Sequence, residues 1–272
     1  MNQPVDDPVI SIVIPCYNSG EFLPAALESV RSYPGPEPYE VVVVDDGSTD
    51  ARTQEVLLQA AAQGCQVIYQ QNKGPAAARN MGIAHARGEY ILFLDSDNKI
   101  RPDYIRRGVA VLRQQPEVGV VYGKASFFGE VAAPRFAGQP FDFYQLLKEN
   151  YIDMCSVIRR RMWEELGGLD EVRLLMGHED WEFWIRAAGA GWQFQYVDEI
   201  LFDYRIRSNS LITEAVRPEA YRTMLDYIHT KHAQQYVAAF DYLYWQHRAY
   251  EHDRAKPGRS FMKYLYLKYG RR

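Results

Sequence analysis

The sequence has few cysteines and no long hydrophobic run. Its three cysteines, Cys16, Cys65 and Cys155, are scattered through 272 residues, which excludes a disulfide framework and a four-ligand zinc site and fits a reducing compartment. No apolar stretch approaches the roughly 20 residues that a membrane-spanning helix needs. The first residues lack the basic and apolar regions of a signal peptide. We therefore expect a cytoplasmic protein.

An excess of positive charge is also missing. Lys and Arg total 31 against 35 Asp and Glu, which gives a net charge of −4, so nucleic acid is not an expected partner. No G-x-G-x-x-G follows the first apolar run and no G-x-x-x-x-G-K-[ST] occurs, which argues against a dehydrogenase and against P-loop hydrolysis. Hydrophobic residues make up 47% of the chain, enough to fill a core, and aromatic residues 14%.

Short apolar runs alternate with helical patterns through the first half of the chain. The runs predicted to be strands are Val9–Cys16, Glu40–Val44, Gln66–Gln70, Tyr90–Leu94 and Val118–Tyr122. Such alternation predicts an α/β fold with a mostly parallel sheet flanked by helices. After about residue 125 the rhythm becomes irregular, with a last strand predicted at Trp192–Val197 and a loop at "FDYRIRSNS", which starts at Phe202. From Arg217 onward the chain is predicted to form two or three helices.

Polar residues follow three of these predicted strands directly. They lie in Pro15–Asn18, Asp45–Ser48 and Asp95–Asn98. Because ligands of open α/β sheets bind at the carboxyl ends of the strands, this edge is predicted to be the functional site. Capping of the second helix by Ser48 or Thr49 is a structural alternative for the middle cluster.

Asp95 and Asp97 form a D-x-D pair at the tip of a predicted core strand. Alternate residues of an extended chain point the same way, so both carboxylates can face one small volume. Loop carboxylates suit Mg²⁺ or Mn²⁺. An ordinary turn rich in Asp and Asn is the alternative.

A second acidic group opens the segment "MGHEDWEFWIRAAGAGW". Glu179 and Asp180 start a predicted helix, where acids also favour the helix dipole. Asp180 and Trp184 share one helix face, which would let a carbohydrate meet a carboxylate and an aromatic ring together. Glu182 stands where H-E-x-x-H requires its second histidine, so zinc-protease chemistry is excluded.

Together, "SIVIPCYN", "EVVVVDDGSTD", "NKGPAAARNMGIAHARGEYILFLDSDN" and "GHEDWEFWIRAAGAGW" resemble the inverting glycosyltransferases of family 2, over about Pro8 to Ser210. The resemblance implies a GT-A (Rossmann-like) fold that holds a nucleotide-sugar donor with Mn²⁺ or Mg²⁺. It implies that Asp97 coordinates the metal and that Asp95 lies nearer the ribose. The residues it implies for nucleotide binding are Pro15, Tyr17, Asn18, Asp45, Asp46, Arg79, Asp95 and Ser96.

On the acceptor side, the resemblance implies that Asp180 is the base that takes the proton of the acceptor hydroxyl, with Glu179 and Trp181 shaping that side. Many relatives have a histidine where this chain has Arg207. Arginine cannot ligate a metal, but it pairs bidentately with phosphate oxygens. Arg205 and Arg207 are therefore expected at the diphosphate, with a salt bridge to the acidic cluster as the alternative.

These features predict a metal-dependent inverting glycosyltransferase. It would move a sugar from a UDP-sugar to a hydroxyl of a saccharide or lipid-linked acceptor, as in cell-surface polysaccharide synthesis. GDP- and dTDP-sugars are the alternative donors. Residues 1–210 would form the GT-A domain, with a nucleotide-sugar half at about 8–125 and an acceptor half at about 126–210, and 211–272 a helical extension. A catalytically silent nucleotide-binding scaffold and a sugar nucleotidyltransferase are the alternatives.

The last segment, Arg254 to Arg272, interleaves basic and aromatic residues and contains no acid. This pattern is typical of helices that lie on anionic lipid surfaces. It indicates peripheral contact with the inner face of the membrane, and a packed C-terminal helix with a solvated face is the alternative. The sequence does not predict an oligomeric state.

Overall fold

The computed structural model describes residues 7–130, 136–207 and 218–255. The strands are β1 (Ile10–Cys16), β2 (Tyr39–Asp45), β3 (Gln66–Tyr69), β4 (Tyr90–Phe93), β5 (Lys99–Ile100), β6 (Val118–Gly129), β7 (Val157–Arg159) and β8 (Gln193–Ile206). The helices are α1 (Leu23–Arg31), α2 (Ala51–Ala62), α3 (Pro75–His85), α4 (Tyr104–Gln114), α5 (Phe143–Lys148), α6 (Arg160–Leu166), α7 (Glu179–Gly189), α8 (Pro218–Lys231) and α9 (Ala233–Ala255), with a 3₁₀ turn at Arg173–Leu175. The predicted α/β class is confirmed.

Within the described residues, eight strands form one sheet in the order β3-β2-β1-β4-β7-β6-β8-β5. The first four strands are parallel, and so are β6 and β8. Strand β7 is antiparallel to both of its neighbours, and β5 is antiparallel to β8. Because β7 is antiparallel to both β4 and β6, strands β4, β6 and β8 all run in the same direction. The carboxyl ends of β1, β2, β4 and β8 therefore meet at one edge.

The core lies between this sheet and its helices. Residues such as Ile12, Val43 and Leu92 on the central strands are fully buried, as expected for strands covered on both faces. Helix α3 packs closely on β1: a Cβ added to Gly82 would lie 2.4 Å from Val13 Cγ1. Glycine at this position therefore allows the helix to approach the sheet.

The last strand is longer than the sequence predicted. The segment starting at Phe202 was expected to be a loop, but β8 continues to Ile206 and pairs with β6, which itself extends past the predicted end at Tyr122 to Gly129. Strand β5 was not predicted, and it pairs with the same part of β8. Partners distant in the sequence stabilise these residues, so their polar composition did not indicate a strand.

Two further predictions concern helix ends and the C-terminal part. Helix α2 is capped by Asp50, whose Oδ1 accepts a 2.7 Å hydrogen bond from Thr53 N, and not by Ser48 or Thr49. The chain divides into two compact units between Asp226 and Tyr227. Helices α8 and α9 confirm the helical character of the extension over 218–255.

Most of the basic and aromatic tail, residues 256–272, lies outside the described residues. Among the helices that the structure describes, none combines the length and the hydropathy needed to cross a membrane.

Candidate active site

The three polar clusters predicted to meet at one edge do so. Cys16 pairs with Asp45 in the parallel register of β1 and β2, and the D-x-D segment follows β4 beside them. Asn18, which has a positive φ of 47°, ties the first two loops together. Its Oδ1 accepts a 2.8 Å hydrogen bond from Thr49 N, and its backbone N donates to Ser48 Oγ at 2.9 Å. Asn18 thus holds these two loops together.

Two residues of the first cluster differ in what they offer to a ligand. Pro15 lies within β1, one residue before its end, and is fixed by the pairing of β1 with β2. Tyr17 follows the strand, and 49% of its surface is exposed. A ring exposed beside buried carboxylates is available for stacking.

The adjacent carboxylates of Asp45 and Asp46 are both buried but have different partners. Asp46 accepts three hydrogen bonds, from Gln70 Nε2 at 2.7 Å, Lys73 N at 2.9 Å and Gly74 N at 2.8 Å. Its carboxylate therefore fixes the loop that leads into α3. Asp45 accepts a 3.1 Å bond from Ser48 N and a longer 3.4 Å contact from the side chain of Gln54. Of the two, Asp45 has more hydrogen-bonding capacity left.

The D-x-D segment forms a turn after β4. Asn98 N donates to Asp95 O at 3.0 Å, and Ser96 is buried beneath the turn. The pKa of Asp97 is raised to about 6 by burial and by the charge of Asp95, against the lowering effects of Arg207 and Arg205. Asp97 therefore carries a negative charge that its surroundings only partly compensate.

Arg205, near the end of β8, and Arg207, just after it, contact the D-x-D turn. For Arg207 the contact is the salt bridge to the acidic cluster that the sequence analysis gave as the alternative to a place at the diphosphate. Arg205 donates from its backbone N to Asn98 Oδ1 at 2.8 Å and from Nε to Asp97 O at 3.1 Å. Arg207 Nε lies 2.9 Å from Asp97 Oδ2. Its N–H is not aligned with that oxygen, so the contact is an ion pair without a directed hydrogen bond. Both guanidinium groups also lie over the ring of Phe22.

Arg79, on α3, is engaged by two carboxylates. Its Nη2 donates to Asp95 Oδ1 and its Nη1 to Glu179 Oε1, each at 2.6 Å, and the residue is only 5% exposed. The sequence placed Arg79 with the nucleotide-binding residues. In the structure it joins the D-x-D turn to the start of α7.

The start of α7 brings Asp180 to the same cluster. Burial raises the pKa of Asp180 well above its usual value, and the charges of Glu179 and Asp153 add to this effect. Asp180 is partly exposed, and its Oδ1 accepts a 2.7 Å hydrogen bond from Trp181 N. A partly exposed carboxylate with a raised pKa is a typical proton acceptor.

The aromatic residues of α7 do not face the site. Trp181 is 1% exposed and donates from Nε1 to Leu146 O at 2.6 Å, and the fully buried Trp184 donates to Ile152 O at 3.0 Å. Both therefore pack α7 into the protein, which corrects the expectation that they contact an acceptor. Glu179 is also buried, held by Arg79 and by Gly177 N.

Asp153, four residues before the start of β7, belongs to the acidic cluster of the candidate site, and the sequence analysis missed it. Its pKa is raised to about 7 by burial and by the charge of Asp95, and it interacts electrostatically with Asp97 and Asp180 as well. Asp153 Oδ1 accepts a 2.8 Å hydrogen bond from Cys155 N. No motif marks it, and the only signal was an acidic residue before a short apolar run in the irregular segment.

The donor atoms suit a metal that is shared with a substrate. No cluster of three His, Cys, Asp or Glu side chains that could hold a metal occurs within the part of the chain that the structure describes. Mg²⁺ and Mn²⁺, however, are often bound by one or two carboxylates and complete their coordination with water and substrate phosphates. Asp97, whose charge Arg207 and Arg205 compensate only in part, fits this arrangement.

The strand order and the acidic residues at the strand tips define an α/β protein of the GT-A type, in which the carboxyl edge of the sheet is the candidate ligand site. The family described as Glycosyl transferase family 2 matches residues 11–167, more than half of the chain. The chain belongs to this family.

Relatives support the same assignment. EpsH of Bacillus subtilis strain 168, named as a glycosyltransferase, is 29% identical over 221 residues, which are 76% of this chain and 64% of EpsH. TuaG of the same organism, named as a teichuronic acid biosynthesis glycosyltransferase, is 26% identical over 75% of this chain and 81% of its own length.

Solved structures of S. aureus TarS, residues 1–349, have a similar fold. The complex with UDP-GlcNAc has a TM-score of 0.67 and 22% identity, and covers 81% of this chain and 65% of TarS. The complex with UDP has a TM-score of 0.64 and 21% identity, over 81% of this chain and 64% of TarS. The chain thus spans slightly less than two thirds of the length of EpsH and of this TarS fragment.

Proposed function

We propose that this protein transfers a sugar from a nucleotide-sugar donor, a UDP-sugar, to a hydroxyl group of a saccharide or lipid-linked acceptor, with inversion at the sugar carbon. The observation that carries the proposal is that the D-x-D turn, which contains Asp97, and the start of α7, which contains Asp180, are joined by hydrogen bonds through Arg79. Asp97 and Asp180 also both interact electrostatically with Asp153. One group can then act on the leaving diphosphate while the other acts on the acceptor.

Asp180 is proposed as the general base. A base that removes the acceptor proton must lie within about 3 Å of the hydroxyl, opposite the leaving group. Burial and the neighbouring charges of Glu179 and Asp153 raise the pKa of Asp180, so its carboxylate binds a proton more strongly than a solvated aspartate does. A single displacement from that side inverts the sugar carbon.

Asp97 is proposed to hold Mn²⁺ or Mg²⁺. The metal would neutralise the charge that develops on the diphosphate oxygen as the bond to the sugar breaks. Arg207 already provides a positive charge 2.9 Å from Asp97 Oδ2. Arg205 and Arg207 would add donors for the phosphate oxygens.

The donor is proposed to be a UDP-sugar because the TarS structures contain UDP and UDP-GlcNAc and because Tyr17 exposes a ring at the expected base position. A role in polysaccharide synthesis is proposed because TuaG is named for teichuronic acid biosynthesis.

Peripheral membrane contact through 254–272 stays a proposal. Its support is α9, where Phe240 and Trp245 are each 67% exposed, and sedimentation with anionic and neutral vesicles tests it.

The test is release of UDP from a panel of UDP-sugars with Mn²⁺ and candidate acceptors. Asp180→Asn should lower the rate by about 10²–10⁴-fold, the usual contribution of a general base, while UDP still binds. Asp103→Asn is the matched control, because the Asp103 side chain is exposed and pairs with Arg106. Unchanged transfer by Asp180→Asn would contradict the proposal, and UDP binding without any transfer would favour a silent scaffold.

A further inference from the structure

Arg79 connects two parts of the chain that lie far apart in the sequence. Asp95 follows β4, and Glu179 is the first residue of α7, 100 residues from Arg79. Both carboxylates bind the two Nη atoms of one guanidinium group at 2.6 Å. The fork of an arginine can hold two carboxylates at fixed angles, which a lysine ammonium cannot do.

The surroundings keep this guanidinium charged and occupied. Burial alone would lower the pKa of Arg79, but Asp95 and Glu179 outweigh it and raise the pKa above the usual value. Arg79 also lowers the pKa of Asp153 and of Asp180. Arg79 Nε has no hydrogen-bond partner, but this atom is buried and only 5% of the residue's surface is exposed. Little of the side chain is therefore accessible to a diphosphate.

Glu179 is fixed on its other side as well. Its Oε2 accepts a 2.7 Å hydrogen bond from Gly177 N, in the turn that enters α7. The sequence of contacts therefore runs from the D-x-D turn through Arg79 and Glu179 to the backbone next to Asp180. Glu179 is therefore held from two sides, by Arg79 and by the backbone of Gly177.

We propose that Arg79 is a positioning residue that joins the donor side to the acceptor side of the site, and that it does not contact the diphosphate. Through Asp95 it holds the D-x-D turn, and through Glu179 it holds the turn that carries Asp180. This inference rests on the proposed function. Misplacing a catalytic group by about 1 Å can cost on the order of 10²-fold in rate. The connection through Arg79 should therefore affect turnover more than UDP binding.

The test is a double-mutant cycle with Arg79→Lys and Glu179→Gln, measured as kcat for transfer and as Kd for UDP by calorimetry. Each single variant should lower kcat by tenfold or more and change the Kd for UDP by less than about threefold. The double variant should have a kcat no lower than that of the slower single variant, since residues of one network do not act additively. Arg161→Lys is the control, because Arg161 pairs with Glu165 on the surface.

Two results would overturn the inference. One is a UDP affinity that Arg79→Lys weakens tenfold or more while kcat is kept, which would place Arg79 at the diphosphate. The other is additive losses of kcat in the double variant.

Hydrogen exchange separates this inference from the proposed function, because it does not require turnover. Arg79→Lys should accelerate exchange of the amides at 177–183, and Arg161→Lys should not. If the wild-type protein transfers no sugar but Arg79→Lys accelerates exchange at 177–183, the proposed function is wrong and the positioning role of Arg79 is supported. Unchanged exchange at 177–183 in Arg79→Lys would refute the positioning role of Arg79.

Discussion

Arg207 Nε lies 2.9 Å from Oδ2 of Asp97, the aspartate expected to hold a metal ion. The same guanidinium lies 4.9 Å from the centre of the Phe22 ring, so the side chain is supported from a second direction. A fixed positive charge beside a metal ligand disfavours a second cation there. We therefore expect the arginine to compete with a metal ion for Asp97.

Replacing Arg207 by histidine should therefore strengthen metal binding. The change Arg207→His removes a permanent charge and supplies an imidazole, which ligates Mn²⁺. We expect the Kd for Mn²⁺ in the presence of UDP, measured by electron paramagnetic resonance, to fall by about fivefold or more. A fivefold change corresponds to about 1 kcal/mol of binding free energy. Arg101→His, which alters an exposed arginine paired with Asp203, is the control. Equal or weaker Mn²⁺ binding by Arg207→His would show that the arginine does not compete with the metal.

The two aspartates at the end of β2 should differ in what they affect. Asp46 accepts three hydrogen bonds from the loop before α3, so Asp46→Ala should lower the free energy of unfolding by about 2–4 kcal/mol, because buried donors lose their acceptor. Asp45→Asn should have a smaller effect on stability and a larger one on the Kd for UDP. Urea denaturation and calorimetry measure the two quantities. The opposite ranking would assign the nucleobase contact to Asp46.

Adding one methyl group to Gly82 should loosen α3. A Cβ at this position would lie 2.4 Å from Val13 Cγ1 and 3.3 Å from Val44 Cγ2. Overpacking of this kind costs about 1–3 kcal/mol, although alanine alone is the better helix former by about 1 kcal/mol. Gly82→Ala should therefore lower the urea midpoint. Ala84→Leu, on the exposed side of the same helix, should leave the midpoint nearly unchanged, and a stabilised Gly82→Ala would mean that α3 is not in close contact with β1.

Stability should depend on pH through Asp153. Its pKa is about 7 in the folded protein and about 4 in an unfolded chain. Between these values the folded state binds more protons, so the free energy of unfolding should fall as pH rises from about 4 to about 7. Asp153→Asn should reduce that fall, whereas Asp103→Asn should not. Urea titrations at several pH values give the slopes, and identical slopes for wild type and Asp153→Asn would place Asp153 in solvent.

The parallel half of the sheet was predictable because local patterns decide it. Buried strands β1, β2 and β4 are continuous apolar runs followed directly by polar residues, and parallel pairing then places Asp45 and Asp95 at the same edge of the sheet. The length of β8 and the presence of β5 were not predictable, since those residues become strand only through partners distant in the sequence.

The same distinction applies to the site. Asp97 and Asp180 stand in recognisable motifs, and the structure brings both to the acidic cluster. Asp153 has no motif, and its neighbours are set by the packing of the irregular segment. The burial of Trp181 was also not predictable from the sequence. Acidic residues at the start of a helix suggest an exposed segment, whereas the Trp181 side chain packs against α5.

Anomalous scattering from crystals grown with Mn²⁺ and UDP tests the central claim most directly. The claim is that acidic groups from the end of β4 and from α7 act on one bound substrate. We predict a manganese peak beside the Asp97 carboxylate and the diphosphate, with the Asp180 carboxylate facing the same cleft. A peak away from Asp97, or an Asp180 side chain turned to a different surface, would contradict the account.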